Sequence, residues 1–292
     1  MVSPIEPDDF LARLREAQRM LAAARVSTPG GRQTARLLAR LEARLSRPIS
    51  VAVLGEPNSG KTTLINRVLG RNLLATDAVQ NTRSVVRVRH ASTPSVELVA
   101  RDGTRHRVGS EMAAGRALNL EDTFEIGVPI ARLATMTFFD TPGWIGDDVL
   151  RGPHGARPPA DIDVWCTIAT QAWRASEVAA WQSLCRPAGA SVLAVTRSDL
   201  LSAADRDKVR GRLVHEAGGL FRSVIMVEGG PAAAGEAIAE VLDVAARDIR
   251  ELRAHKAAAI MGRQALRLEG PRQGDAARPS VMSQPPRRAA GT

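Results

Sequence analysis

Between Gly55 and Thr63 the sequence reads GEPNSGKTT, two glycines separated by four residues and followed at once by a lysine and two hydroxyls. Glycine at both ends lets a loop curl until successive backbone N–H groups face inward, a concave donor array that suits phosphate oxygens. A helix that starts behind such a loop turns its partly positive N-terminus toward the same anion. Lys61 adds a compact ammonium for the outer phosphates, and the Thr62 hydroxyl suits the magnesium ion that bridges them. The residues expected on a nucleotide's phosphates are Gly55, Glu56, Pro57, Asn58, Ser59, Gly60, Lys61, Thr62 and Thr63.

Two further stretches extend this chemistry. DTPG, Asp140 to Gly143, ends the apolar run MTFF, where an aspartate holds magnesium through water and the Gly143 N–H senses a γ-phosphate. TRSD, Thr196 to Asp199, ends the run SVLAV. There Asp199 is placed to accept from guanine N1–H and the exocyclic amine, donors that adenine lacks, which selects GTP over ATP because a wrong base leaves the carboxylate unpaired. The usual lysine of this motif is Arg197, whose planar guanidinium can lie against the base.

These residues need a sheet to hold them. From Ile49 to Val227 short β-branched runs alternate with helical stretches, which predicts an α/β fold with a mostly parallel sheet flanked by helices. Expected strands are ISVAVLG, SVVRVRH, VELVA, LATMTFFD, DIDVWCTIAT, ASVLAVT and RSVIMV, with helices at 60–69, 175–186 and 203–216. Ahead of them, Phe10, Leu14, Ala17, Leu21 and Ala24 recur at helical spacing; after the break STPGG, so do Leu38, Leu41 and Leu45. A last apolar stripe, Ile238, Val241, Leu242, Ala245, Ile249 and Leu252, predicts a long C-terminal helix able to pack beside the first two. The division expected is a helical segment at 1–48, a GTPase domain at 49–230, a helix at 231–268 and a disordered basic tail at 269–292.

Composition narrows the class. The 292 residues carry 40 Lys and Arg against 31 Asp and Glu, and +6 of the net +9 lies from Arg247 onward. Such an end suits anionic phospholipid, nucleic acid or an acidic protein surface. Cys166 and Cys185 have no second ligand pair nearby, which argues against zinc and a disulfide framework. No charged start with an apolar block and no bilayer-length apolar run occurs, so the expected location is cytoplasmic, with membrane contact peripheral at the inner face.

With phosphate loop, DTPG and TRSD in order, the chain resembles the translation-factor-related P-loop GTPases, and more closely their bacterial dynamin-like branch. Four stretches carry the resemblance over about Val51 to Leu201: GEPNSGKTTLINRVLGRNLLATDAVQNTRSVVRVRH, TPSVELVARDG, FEIGVPIARLATMTFFDTPG and SVLAVTRSDLL. It implies that Thr82, in LLATDAVQNT, closes over the nucleotide as a second magnesium ligand and holds the attacking water, with Thr76 as the substitute. Asn58 stands where cation-dependent relatives bind potassium beside the phosphates. Catalytic roles thus fall to Lys61, Thr82 and Asn58. Trp144, which has no acceptor with which to orient water, follows DTPG and opens a second switch at 144–161.

The resemblance further implies Mg²⁺-dependent GTP hydrolysis coupled to dimerisation of GTPase heads, with a companion dynamin-like protein and a peripheral membrane contact as partners. Only a short neck follows the head, and the VEGG run at Val227–Gly230 replaces the family's serine-alanine pair near the base, leaving that end of the pocket unassigned. Two other readings compete: a ribosome-assembly or RNA-modification GTPase, and a nucleotide-binding scaffold with little hydrolysis. Nucleic acid ranks below the other partners, because the chain has no RNA-reading module, no tyrosine and only nine Phe and Trp.

Overall fold

In a computed structural model, which describes residues 6–24, 28–74, 84–100, 102–108, 122–143, 158–184, 190–228 and 233–268, the alternating apolar runs become one sheet. Its strands are β1 (Ile49–Gly55), β2 (Val86–His90), β3 (Ser95–Val99), β4 (Arg105–Arg107), β5 (Thr123–Val128), β6 (Met136–Asp140), β7 (Ile162–Ile168), β8 (Ser191–Thr196) and β9 (Ser223–Met226). They lie in the order β4-β3-β5-β2-β6-β1-β7-β8-β9. From β6 to β9 all neighbours are parallel, while β2 joins β6 antiparallel and begins a mixed extension. The described helices are α1 (Pro7–Ala23), α2 (Pro29–Ser46), α3 (Lys61–Leu69), α4 (Ala175–Leu184), α5 (Ala203–Ala217) and α6 (Ala233–Leu268).

Strand alternation sorts the core into two layers. Ile49, Val51 and Val53 of β1 face a cluster containing Ile65 and Leu69 of α3 and Ile238 and Leu242 of α6. Ala52 and Leu54 face the other way, onto Trp165, Trp173, Trp181, Leu213 and Phe221. Burial on both faces explains why β1 and β8 read as mostly apolar runs.

Two strands escape the sequence reading. β4 is a charged tripeptide, and β5 carries Glu125, only 2% exposed, in its middle. That carboxylate is covered by guanidinium groups from the adjacent β2, Arg87 at 3.0 Å and Arg89, and from β4 two strands away, Arg105 at 2.6 Å. Pairing across strands stabilises a polar sheet face that one-strand periodicity does not reveal. The expected strand LATMTFFD also shortens, because Ala131–Ala134 form a 3-10 turn and β6 begins at Met136.

The N-terminal helices pack on the far half of α6. Leu14, Leu38, Leu41 and Ala257 are the buried centre, with Phe10, Leu45, Ile260 and Met261 around them. Each fully buried leucine contributes about 1.5–3 kcal/mol. Thr28 caps α2 by accepting from the Gly31 N–H at 3.1 Å.

One ionic junction ties this bundle to the sheet. Asp161, just before β7, accepts from the Ser50 N–H at 2.9 Å and hydroxyl at 2.7 Å, and meets Arg253 of α6 at 2.7 Å and Arg47 at 2.9 Å. Arg253 also donates to the Arg47 carbonyl at 2.9 Å. Burial alone would raise the Asp161 carboxyl, but the Ser50 bonds and the Arg253 charge outweigh it and hold the group below its usual range. Among the described residues no helix is long and apolar enough to cross a membrane.

Candidate nucleotide site

The loop between β1 and α3 sits where β1, β6, β7 and β8 end, at the carboxyl edge where α/β sheets bind ligands. Gly55, at φ 139°, is required there: a Cβ would meet the Cys166 carbonyl of β7 at 2.4 Å. Asn58 holds a left-handed conformation at φ 60°. Three strands then converge on this loop through specific bonds.

From β6, Asp140 accepts the Thr62 hydroxyl on Oδ2 at 2.7 Å, while its Oδ1 is buried without a hydrogen-bond partner among the described residues. Burial raises the Asp140 carboxyl above its ordinary value, against the Thr62 bond and the Lys61 charge. Lys61 is buried as well, and desolvation lowers its ammonium against the attraction of Cys166 and Asp140. Its Nζ donates to the Gly55 carbonyl at 3.2 Å and the Glu56 carbonyl at 2.7 Å. An acceptor with half its capacity unused, beside a hydroxyl and an ammonium, is a donor set that fits a hard dication with its phosphates. Thr62 and Asp140 are the residues that would hold it.

Thr141 anchors the following turn by donating to the Val53 carbonyl at 2.7 Å. Gly143 then lies against the phosphate loop so closely that a Cβ would stand 2.5 Å from the Pro57 nitrogen. From β8, the Thr196 hydroxyl reaches the Ser59 carbonyl at 2.7 Å and the Thr167 carbonyl at 3.1 Å. Arg197, at φ 54°, donates from Nη2 to the Asn58 carbonyl at 3.3 Å. A cavity of about 250 Å³ opens beside them, lined by Gly60, Thr63, Leu64, Arg67, Thr196, Arg197, Asp199 and Val227.

Of the expected site residues, those of the phosphate loop, DTPG and TRSD are therefore brought to one edge. The Glu56 carboxylate accepts from Arg174 and from the Ser176 hydroxyl at 2.8 Å. Only its main chain is left to meet a phosphate. Thr82, Thr76, Trp144, Cys185 and the tail at 269–292 lie outside the described residues. Cys166 is fully buried under the loop, and burial pushes its thiol up to about 12.

Several supports were not legible in the motifs. Glu177, 2% exposed, accepts from Trp165 Nε1 at 3.3 Å, the Thr167 hydroxyl at 2.9 Å and the Arg174 N–H at 3.0 Å. It thus orders the segment that supplies Arg174 and Ser176 to the phosphate loop. The one hint in the sequence is Thr167 itself, a hydroxyl set in an otherwise apolar strand end.

Comparison with known proteins agrees with this geometry. Residues 50–163 match the family model described as 50S ribosome-binding GTPase. The isoniazid-induced protein IniC of Mycobacterium tuberculosis is 35% identical over 113 residues, 36% of this chain and 23% of its own length. Dynamin-like protein 2 of Campylobacter jejuni is 27% identical over 179 residues, 56% of this chain and 28% of its own. GTPase Era of Rickettsia akari is 54% identical over 41 residues, 14% of each chain.

Among solved structures, an oligomerised bacterial dynamin pair, described as providing a mechanism for long-range sensing and tethering of membranes, superposes with a TM-score of 0.55 at 18% identity. The match covers 77% of this chain and 38% of that one. The chain thus spans about a quarter of the length of these larger curated relatives. Residues 50–163 thus match a P-loop GTPase family model, in a chain similar to the bacterial dynamin-like GTPases.

Proposed function

We infer that this protein binds GTP with magnesium and hydrolyses it, acting as a dynamin-like switch whose nucleotide state is coupled to pairing of GTPase heads. The observation that carries the reading is the convergence of Lys61, the Thr62–Asp140 pair and the Asp199-lined cavity on one sheet edge. In the boundaries we assign, the head is 49–230, the neck combines 1–48 with 231–268, and 269–292 is a basic tail.

Attack of water on a γ-phosphate asks little covalent chemistry of the protein and much positioning. The loop amides and the α3 N-terminus grip the β-phosphate, and Lys61 exchanges its loop carbonyls for phosphate oxygens. Magnesium, when bound, supplies charge neutralisation between the β- and γ-phosphates. Gly143, packed on Pro57, is placed for its N–H to report the γ-phosphate to the segment behind it. Thr82 would hold the water, and Asn58 would hold a potassium ion that supplies positive charge in place of an arginine finger. Replacing KCl with NaCl should slow turnover; an unchanged rate removes the potassium role.

Head pairing is supported by the likeness to the bacterial dynamin pair and is tested by turnover per subunit against protein concentration. A rise is expected; a constant value contradicts coupling. A companion dynamin-like protein and a membrane contact belong to the same reading, and liposome co-sedimentation at physiological salt tests the membrane. The matched family model and the Era likeness favour a second reading, a GTPase acting on ribosomal particles, which co-sedimentation with those particles would reveal. A scaffold that barely hydrolyses GTP would show itself in single-turnover phosphate release.

A further inference from the structure

We propose that Arg67 reads the O6 and N7 edge of the guanine base, a specificity contact supplied from α3 rather than from the TRSD loop. The proposal rests on the GTP-binding reading and names how its base pocket is completed on the side where the VEGG run departs from the family pattern.

The helix sets the distance. Lys61 begins α3 at the phosphates, and Arg67 lies six residues on, about 9 Å along the axis. Thr63, Leu64 and Arg67 share a face at i, i+1 and i+4, and all three line the cavity that holds Asp199. One helix thereby spans the site from its phosphate end to its base end.

The Arg67 side chain is also aimed. Its Nη1 donates to the Glu228 carbonyl at 3.0 Å, which draws the guanidinium across the base end of the cavity toward the residues after β9. Glu228 is held in turn by an ion pair with Arg206 of α5. Val227 is fixed on both sides, its N–H on the Val195 carbonyl at 2.8 Å and its carbonyl accepting from Ser198 N–H at 3.2 Å. The guanidinium, a planar fork of donors, is thereby anchored at the edge of the cavity.

Guanine offers two adjacent acceptors, O6 and N7, to such a fork, and this pairing has the geometry of a bidentate hydrogen bond. Asp199 would take the donor edge, N1–H and the amine, leaving the acceptor edge to Arg67. Adenine is then refused twice: its amine points a donor at Arg67, and its N1 points an acceptor at Asp199. Each good bidentate pair discriminates by roughly 5- to 150-fold.

The test compares GDP, 7-deaza-GDP and ADP on the full chain with magnesium, for the wild type, Arg67→Gln and Asp199→Ala. Gln keeps one donor for the Glu228 carbonyl and loses the fork, and thermal unfolding verifies that each variant is folded. The wild type should bind 7-deaza-GDP about tenfold more weakly than GDP. Arg67→Gln should bind GDP about tenfold more weakly, no longer distinguish it from 7-deaza-GDP, and show a smaller preference over ADP. If Arg67 serves only to hold the loop, the variant weakens both guanine nucleotides equally and keeps the wild-type ratio, which overturns the proposal. A wild type that binds neither nucleotide, or binds ADP as well as GDP, sinks the underlying reading instead.

Discussion

The Thr196 hydroxyl at the end of β8 donates to the Ser59 carbonyl of the phosphate loop at 2.7 Å, joining the TRSD motif to that loop across 137 residues of chain. The same oxygen lies 3.1 Å from the Thr167 carbonyl. The β8 end, the phosphate loop and the β7 end are thus registered by one buried hydroxyl.

Thr196→Val keeps the shape and deletes that donor. Removing one partner of a buried hydrogen bond costs about 1–3 kcal/mol. Denaturant unfolding should show a loss of that size, and GDP affinity should fall more than the stability loss explains at temperatures where the protein stays folded. Unchanged affinity in a folded variant would separate the two motifs.

Gly143→Ala probes the other contact with the loop. The added methyl meets backbone atoms of Pro57, which cannot yield as a side-chain end would. Overpacking of this kind costs about 1–3 kcal/mol. Thermal unfolding should fall accordingly, and GTP turnover should drop more steeply than GDP affinity, since only the triphosphate needs the DTPG turn in place.

Asp161→Asn tests the junction between bundle and sheet. Asn can still accept from Ser50, but Arg253, with its side chain 7% exposed, loses its counter-charge. Breaking a buried pair costs about 3–5 kcal/mol, and the partial exposure of Asp161 places this one near 3 kcal/mol. The pH dependence follows from the lowered Asp161 carboxyl. Its contribution is complete above the unfolded value of about 3.9 and is lost as pH falls through the folded value. Between neutral pH and that window the variant should run parallel to the wild type; on further acidification the gap should close.

The sequence discloses what is local. Gly55 to Thr63 is readable because loop, cap and helix start lie within nine residues, and β1, β7 and β8 are readable because burial on both faces makes them mostly apolar runs. What depends on approach through space is not readable in the same way. Glu125 looks like a strand breaker until Arg87, Arg89 and Arg105 cover it. The partners of Glu56, at Arg174 and Ser176, lie more than a hundred residues away and share no motif with it. Arg67 reads as one more polar position on a short helix, and its bond to the Glu228 carbonyl reveals its direction.

Calorimetric titration of Mg·GTP into the wild type and Lys61→Ala addresses the core of the account, since Lys61 is the one ammonium at the phosphate loop and is already buried there. The wild type should show saturable binding near one nucleotide per chain with ATP far weaker, and the folded Lys61→Ala variant should lose most of that affinity. Absence of saturable GTP binding by the wild type, or full affinity in Lys61→Ala, would contradict it.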